Sequence, residues 1–402
     1  MSNAINNNQR LVLVDALRGI ALAGIVLIHA VEHFDFFRRP EVNLFFSTET
    51  DRMVMRMTFA LIAGKAYSIF AFMFGLSFFI QLERQERKGV DFRLRFFWRL
   101  IILFAFGFIH SLLYKGDILH IYALFGFFLI PFYKIDTKKL IWLSVLLMLQ
   151  IPTLYNLALA FVTSDYQLSG RYTRAFVREA ASTYASGTLS DVVGFNLWKG
   201  RAMSWEWMYR NGRYLQLFAL FILGLVIGRK RYFENIEKYK SAIIKLLIVS
   251  LITVGLFYII RNTLTVFELT RPQTGLIRTL INSYANLAYT ATIVFAFILT
   301  YIWLRRLFIF DLLANYGRIS LSNYLIQSIF GIFFFYGFGF GMYKYLGSTW
   351  SLVYGFTFLG MQLIFSKIWL QHFHYGPCEW LWRALTYLNF KIKFYRYRFS
   401  NG

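Results

Sequence analysis

The sequence predicts an all-α protein, a polytopic bundle of about ten transmembrane helices with both termini in the cytoplasm. Of its 402 residues, 58% are hydrophobic and 20% are aromatic, and the mean hydropathy is +0.50. The apolar residues recur in runs of about 20, the length that crosses a hydrocarbon core of about 30 Å. Lys and Arg concentrate in alternate loops between these runs, which places both termini inside by the positive-inside rule.

The predicted spans form one integral membrane domain over residues 1–402. Helices are required because the lipid interior cannot satisfy an open backbone. Residues 165–213 are expected to form a long extracytoplasmic loop, and residues 371–402 a basic cytoplasmic tail. The spans are expected at about 11–31, 58–82, 96–114, 117–134, 139–163, 214–230, 241–260, 281–304, 320–340 and 350–370.

Composition argues against nucleic-acid binding and against a metal centre. The formal net charge of +23 is carried by loops between apolar runs, and no nucleic-acid-binding motif interrupts them, so we expect no nucleic-acid partner. Cys378 is the only cysteine, which excludes an intramolecular disulfide and a thiolate metal site. His372 and His374 lack the spacing of a helical metal-binding pair, so we expect no metal.

The first span carries its ionisable side chains on one narrow stripe. At about 100° per residue, Asp15, Arg18, His29 and the following His33 fall within about 60°. A buried charge in lipid costs several kcal/mol, so this stripe should face a protein interior or a watery cavity. Alternatively, Asp15 and Arg18 form a structural ion pair at the entrance of the helix.

Lys65 is an unusual residue for the second span. Its ammonium group either reaches the membrane interface or lines a cavity, and the sequence leaves both open. Gly64 and Gly75 would allow a neighbouring helix to approach closely.

The third span repeats the arrangement of the first. Arg95 and Arg99 lie at its cytoplasmic end and His110 near its outer end, all on one face. Two guanidinium groups one turn apart suit a phosphorylated cofactor, although they could also be positive-inside anchors. His110, oriented by Asp117, suits general-base chemistry, although an interfacial histidine is often a structural hydrogen-bonder. If the two faces meet, they form a polar track through the membrane.

Polar residues are fewer in the second half of the chain. Asn323 and Gln327 predict hydrogen bonds between helices. Glu379 and Arg383 follow the last span and are expected to be structural. The tryptophans and arginines of the 165–213 loop are typical of an amphipathic segment at the membrane interface, in the manner of a lid.

Several stretches resemble the bacterial YeiB-like family, also called domain of unknown function 418. This family is related to the transmembrane acyltransferase superfamily, which includes acyltransferase 3 proteins and heparan-α-glucosaminide N-acetyltransferase. The resemblance covers nearly the whole chain. The stretches are residues 13–21, 64–75, 110–123, and 317–328 with 376–383.

The resemblance implies an enzyme of the bacterial inner (plasma) membrane. Such an enzyme would move an acyl group from cytoplasmic acyl-CoA, with acetyl-CoA as the expected donor, to an extracytoplasmic saccharide or glycolipid. Arg95 and Arg99 occupy the setting of the arginines that hold the CoA donor in related proteins, and Arg18 and Lys65 are further candidate contacts.

Related enzymes use a histidine near the extracytoplasmic end. His110 with Asp117 is the preferred pair, and His29 and His33 also qualify under the resemblance.

Two other classes of function stay open. A transporter or flippase for a glycolipid or an anionic solute would use the same polar track without covalent chemistry. A non-catalytic membrane subunit would tolerate loss of both the histidines and the arginines. Besides membrane lipid and a small-molecule or glycan acceptor, the sequence leaves a homodimer open as a partner.

Overall fold

The computed structural model describes residues 2–36, 40, 47–163, 166–167 and 174–396. Residues 397–402 of the predicted tail, and 165 and 168–173 of the predicted long loop, lie outside the described residues. The helices are α1 (Ser2–Val31), α2 (Thr48–Leu61), α3 (Lys65–Glu86), α4 (Arg93–Leu113), α5 (Leu119–Leu129), α6 (Thr137–Met148), α7 (Ile151–Val162), α8 (Arg174–Ser186), α9 (Leu189–Phe195), α10 (Arg201–Arg210), α11 (Arg213–Arg229), α12 (Lys240–Thr263), α13 (Arg271–Leu304), α14 (Phe308–Arg318), α15 (Ser320–Phe335), α16 (Ser348–His372) and α17 (Pro377–Tyr387).

The described part of the chain contains seven helical segments long and apolar enough to cross a membrane. An eighth is added if α9–α10 and α11, which meet at an angle of 72°, count as one broken span. Two shorter apolar segments are residues 119–134 and 320–335. The predicted class, an all-helical multispanning membrane protein, is therefore confirmed, while the ten-span count and the cytoplasmic termini stay predictions.

Some predicted spans are broken or extended in the structure. The second predicted span consists of α2 and α3, which join at Gly64 with a left-handed φ of 79°. The fifth is divided into α6 and α7 at Gln150, whose φ is 53°. The predicted tail contains α17, and Trp382 of this helix donates a hydrogen bond to the backbone oxygen of Arg99 (2.8 Å). The breaks at Gly64 and Gln150 arise from single backbone positions, which a hydropathy profile does not detect.

Glycines allow several pairs of helices to pack closely, including α1 with α14 and α3 with α11. A Cβ atom at Gly317 of α14 would overlap the backbone oxygen of Asp15 on α1. A Cβ atom at Gly75 of α3 would likewise overlap the backbone oxygen of Phe221 on α11. Close approach of helix backbones is the usual role of small residues in membrane interfaces. The backbones of α1 and α14, and of α3 and α11, therefore approach closely, and Gly75 acts as its sequence context predicts.

The segment α9–α10 packs against the C-terminal end of α4. The Asn196 amide donates a hydrogen bond to the backbone oxygen of Leu112 (3.0 Å). The Ser204 hydroxyl donates to the backbone oxygen of Lys115 (2.6 Å). This part of the predicted long loop is therefore helical and is tied to the turn between α4 and α5.

Glu379 connects α17 to the start of α15. Its Oε1 accepts hydrogen bonds from the backbone N–H groups of Leu321 (2.7 Å) and Ser322 (3.1 Å), and its Oε2 accepts from the Ser322 hydroxyl. Burial raises the pKa of Glu379, and the hydrogen bonds from Ser322 oppose that shift. A carboxylate at a helix N-terminus satisfies unpaired donors and complements the helix dipole.

We expect Glu379→Gln to lower the free energy of unfolding by about 1–2 kcal/mol, because the charged acceptor at the α15 N-terminus is lost. Thermal and denaturant unfolding in detergent micelles measure this. Glu237→Gln is the control, since Glu237 forms an exposed ion pair with Arg305 (2.6 Å) and should have little effect. Equal destabilisation by both variants would contradict the role of Glu379 as the hydrogen-bond acceptor at the N-terminus of α15.

Candidate functional site

A cavity of about 1130 Å³ runs between α1, α3 and α4. The inner end of the cavity is the part lined by Arg18, Arg99 and Arg318, and we expect it to face the cytoplasm. The outer end of the cavity is the part lined by His29 and Glu32. Arg18 and His29 lie about 16 Å apart along α1, at about 1.5 Å per residue. Arg18 and His29 of α1 and Arg99 of α4 therefore border the same cavity.

Arginine side chains surround the inner end. The Arg99 guanidinium lies over the Trp382 ring, 3.5 Å from the ring centre, and its buried Nε has no hydrogen-bond partner in the described chain. Arg318 lies exposed at the mouth of the cavity. Arg18 donates hydrogen bonds to Asp15 (2.6 Å) and to the Ser77 hydroxyl. The ion pair of Asp15 with Arg18 is thus formed, and Arg18 still lines the cavity.

Arg95 does not line the cavity. It is exposed, and its guanidinium lies 5.3 Å from the centre of the Tyr387 ring on α17. The two arginines of the predicted phosphate-binding pair therefore point to different surroundings. Arg383 of α17 also lies off the cavity, over the Tyr375 ring at 5.0 Å.

His29 is the histidine that lines the cavity at its outer end. The Tyr114 hydroxyl lies 2.9 Å from its Nδ1, and Glu32 Oε2 lies 3.3 Å from the same nitrogen. Burial raises the pKa of Glu32, and its hydrogen bond with His29 opposes that shift. When Glu32 accepts a hydrogen bond from Nδ1–H, the Nε2 atom of His29 carries the lone pair that can take a proton, and the Tyr114 hydroxyl lies 3.2 Å from it. This arrangement suits general-base chemistry.

His110 and Asp117 form the predicted pair, but in a buried cluster. Asp117 accepts hydrogen bonds from His110 Nδ1 (2.7 Å) and from His120 Nδ1 (2.8 Å). The Nε2 atoms of both histidines are buried and have no hydrogen-bond partner among the described residues. Asp117 lines the cavity and His110 does not. In the described ranges, no three His, Cys, Asp or Glu side chains converge as a metal site would require.

His33 is enclosed by the protein, away from the cavity. Its Nε2 lies 2.9 Å from the Ser351 hydroxyl, and its ring stacks on Phe335 with ring centres 4.7 Å apart. Burial lowers the pKa of His33 to about 4, so its ring is neutral at physiological pH. These contacts are those of a structural histidine.

Lys65 is buried and lines the cavity, as one of its two sequence-based interpretations expects. Its ammonium group donates a weak hydrogen bond to the backbone oxygen of Phe59 (3.5 Å). Arg213, at the start of α11, is also buried and lines the same part of the cavity.

The polar residues of α15 form hydrogen bonds between helices. Asn323 donates to the Ser366 hydroxyl of α16 (2.9 Å). The Tyr316 hydroxyl of α14 donates to the side-chain oxygen of Gln362 on α16 (2.9 Å) and more weakly to that of Gln327 (3.4 Å). Asn323 and Gln327 thus have the contacts expected of interhelical hydrogen-bonders.

Sequence reasoning misses several residues of this site. Arg318 and His120 lie inside stretches that carry the family resemblance, so the signal is present but diffuse. Tyr114 looks like an ordinary interfacial aromatic, and Glu32 looks like a loop residue. Arg213 follows Gly212 at the break before α11, where a glycine within an apolar run is the available signal.

The comparisons with known proteins give the same family throughout. The family "Protein of unknown function (DUF418)" matches residues 227–389. The chain is 30% identical to the uncharacterized protein YxaH of Bacillus subtilis (strain 168), over 96% of each chain. It is 26% identical to the uncharacterized protein YeiB of Escherichia coli (strain K12), over 94% of this chain and 96% of YeiB. The chain therefore belongs to the YeiB-like DUF418 family.

Proposed function

We propose that this protein is an acyltransferase of the bacterial inner membrane. It moves an acyl group from cytoplasmic acyl-CoA to a saccharide or glycolipid on the other face. The observation that carries the proposal is one cavity with arginines at its inner end and a histidine–glutamate–tyrosine cluster at its outer end. Its volume of about 1130 Å³ exceeds the range of about 300–1,000 Å³ of most ligand pockets, which suits a site for two substrates.

The inner end fits the phosphates of a CoA donor. Guanidinium groups bind phosphate oxygens in a fork, and Arg18, Arg99 and Arg318 border the cavity there. The Trp382 ring under Arg99 holds its guanidinium in place. From these arginines, an extended thioester arm would follow the cavity toward His29, about 16 Å away along α1.

His29 would act as the general base of the reaction. The acceptor hydroxyl gives its proton to His29 Nε2 while its oxygen forms a bond to the thioester carbonyl carbon. The carbon–sulfur bond then breaks, its electron pair stays on the CoA sulfur, and the proton on His29 passes to that sulfur. Glu32 orients the ring and stabilises its protonated form. The products are an acylated acceptor and a free thiol.

This assignment places the base at His29 rather than His110, because the free nitrogen of His110 is buried away from the cavity. Asp117, with His110 and His120, instead fixes the turn between α4 and α5. That turn follows Tyr114, whose hydroxyl contacts His29.

Free-thiol release tests the proposal. Purified protein in lipid nanodiscs is given a panel of acyl-CoAs, with and without a membrane and cell-wall extract as a source of acceptors. We expect release that depends on the extract. A transporter would move a solute without releasing thiol, so release no faster than that of empty nanodiscs with every acyl-CoA would contradict acyl transfer.

We expect Arg99→Gln to raise the KM for acyl-CoA at least about tenfold with a smaller change in kcat, because a hydrogen bond to a charged group contributes about 1.5–3 kcal/mol. Steady-state thiol release measures both constants. Arg95→Gln removes the same charge from an exposed position off the cavity, and it should leave the KM unchanged. The reverse pattern would place the donor outside this cavity.

A further inference from the structure

We propose that the cavity contains a phosphate-binding site between the starts of α3 and α11, formed by Lys65 and Arg213. If the protein is an acyltransferase, as proposed above, we infer that its acyl acceptor is a saccharide that carries a phosphate group. The phosphate is either free in a sugar phosphate or part of a lipid-linked sugar.

The site begins with two buried cations. Lys65 is 5% exposed and Arg213 is 8% exposed, and both side chains line the cavity. Within the described part of the chain, neither of them forms an ion pair with a carboxylate. A buried charge without a partner is costly, so a site that keeps two of them is built to receive a negative charge.

The donors of this site converge around Gly64. A Cβ atom placed there would lie 3.0 Å from Arg213 Nη2 and 2.9 Å from the amide nitrogen of Asn286. Gly64 has a φ of 79°, a conformation that side chains rarely adopt. The absence of a side chain at this position therefore lets the guanidinium and the amide approach the start of α3.

The starts of α3 and α11 lie next to each other at this site. α3 begins at Lys65 after Gly64, and α11 begins at Arg213 after Gly212, which has a φ of 60°. The N-terminus of α11 has neither a side-chain cap nor an acidic residue in its first turn, whereas the first N–H groups of α3 donate to the backbone oxygen of Ile62. A helix N-terminus such as that of α11 carries a partial positive charge of about half a unit and offers backbone donors to anions.

Neutral partners hold the two cations in place. Arg213 Nη1 donates to the side-chain oxygen of Gln216 (2.8 Å), and the Gln216 amide donates to the backbone oxygen of Ser283 (3.1 Å). The Lys65 ammonium lies 5.0 Å from the centre of the Tyr289 ring. These contacts orient both groups without neutralising them, which leaves their charge for a ligand.

The charge and the position of the site favour a phosphate on the acceptor. Two cations with the N-terminus of α11 match a group of up to two negative charges, and the planar guanidinium of Arg213 suits its oxygens. Lys65 lies about 18 Å along α3 from Ser77, the contact of Arg18 at the inner end. The site is therefore separate from the arginines proposed for the CoA donor.

Calorimetric titration of the purified full-length protein in nanodiscs tests the site. Glucose 1-phosphate is the soluble probe, glucose is its neutral control, and inorganic phosphate is the competitor. We expect wild type to bind glucose 1-phosphate but not glucose, and Lys65→Met and Arg213→Gln each to weaken binding at least tenfold. Lys199→Gln is the matched control, because Lys199 is an exposed residue paired with Glu179 (2.5 Å). Its binding should equal that of wild type.

A second arm distinguishes the sources of the phosphate. Nanodiscs that contain polyprenyl-phosphate-linked glucose should raise the unfolding temperature of wild type more than that of Lys65→Met if the ligand is lipid-linked. Glucose 1-phosphate binding without this shift assigns the site to a soluble sugar phosphate. If Arg213→Gln fails to fold, competition in wild type decides, since inorganic phosphate should displace the probe and chloride at equal ionic strength should not.

The outcomes separate this site from acyl transfer itself. Binding of neither probe, or equal binding by wild type and Lys65→Met, would overturn the phosphate site even where thiol release occurs. Binding through Lys65 with no thiol release from any acyl-CoA would keep the site and overturn acyl transfer.

Discussion

His29→Ala is expected to lower acyl-CoA-dependent thiol release at least about a hundredfold. A positioned general base contributes about 10²–10⁴ to a rate, and His29 is the histidine that borders the cavity at its outer end. The variant would keep Glu32 and Tyr114 but would lack the imidazole ring that both of them contact. Steady-state thiol release in nanodiscs, with the acceptor extract present, measures the loss.

The controls for this variant use two other histidines. His374 follows α16, is exposed and does not line the cavity, so His374→Ala should leave the rate unchanged. His110→Ala should reduce stability more than the rate of the folded fraction, since it removes a partner of buried Asp117. A folded His110→Ala protein without activity, beside an active His29→Ala protein, would return the base to His110.

Gly317→Ala is expected to prevent accumulation of folded protein. The added Cβ would overlap the backbone oxygen of Asp15, so α1 and α14 could no longer pack at their present distance. Overpacking typically lowers the free energy of unfolding by about 1–3 kcal/mol. A clash with backbone cannot be relieved by rotating a side chain, so we expect a loss at or above the upper end of that range. Size-exclusion chromatography of detergent extracts and thermal unfolding measure the effect.

Gly360→Ala is the matched control for helix packing. Gly360 lies in α16, and a Cβ atom there would meet no other atom within 4 Å. Alanine is favoured over glycine in helices by about 1 kcal/mol, so this variant should be as stable as wild type or more so. Folded Gly317→Ala protein with unchanged stability would contradict the close α1–α14 packing.

The sequence is informative where a single helix determines the result. The cost of a charge in lipid applies to α1 by itself, so the stripe with Arg18 and His29 predicts a cavity before any neighbour is known. The all-helical class follows in the same way from the length of the apolar runs. The interhelical role of Asn323 follows from the need of a buried amide for partners.

The sequence is less informative where a distant segment decides the surroundings of a residue. Arg95 and Arg99 share a face of α4, but α17, nearly 300 residues later, places Trp382 against Arg99 and Tyr387 against Arg95. His110 also lies on that face, yet Asp117 and His120 enclose it. Periodicity gives the direction of a side chain from its own helix and says nothing about what covers it.

Arg213 presents a similar case. It lies at a break between α10 and α11 that hydropathy does not mark, and its relation to Lys65 depends on the parallel packing of α3 and α11. The two residues are far apart in sequence, so a shared role becomes visible only in the folded chain.

Transfer across the membrane can be measured in proteoliposomes in which the protein has one known orientation. Acetyl-labelled acetyl-CoA is placed on the side of the inner end, and cell-envelope saccharide on the side of the outer end. The account predicts labelled saccharide on the outer side and free thiol on the inner side, both lost in His29→Ala. Label that stays on CoA, or saccharide that is labelled only when both substrates share one side, would contradict transmembrane acyl transfer.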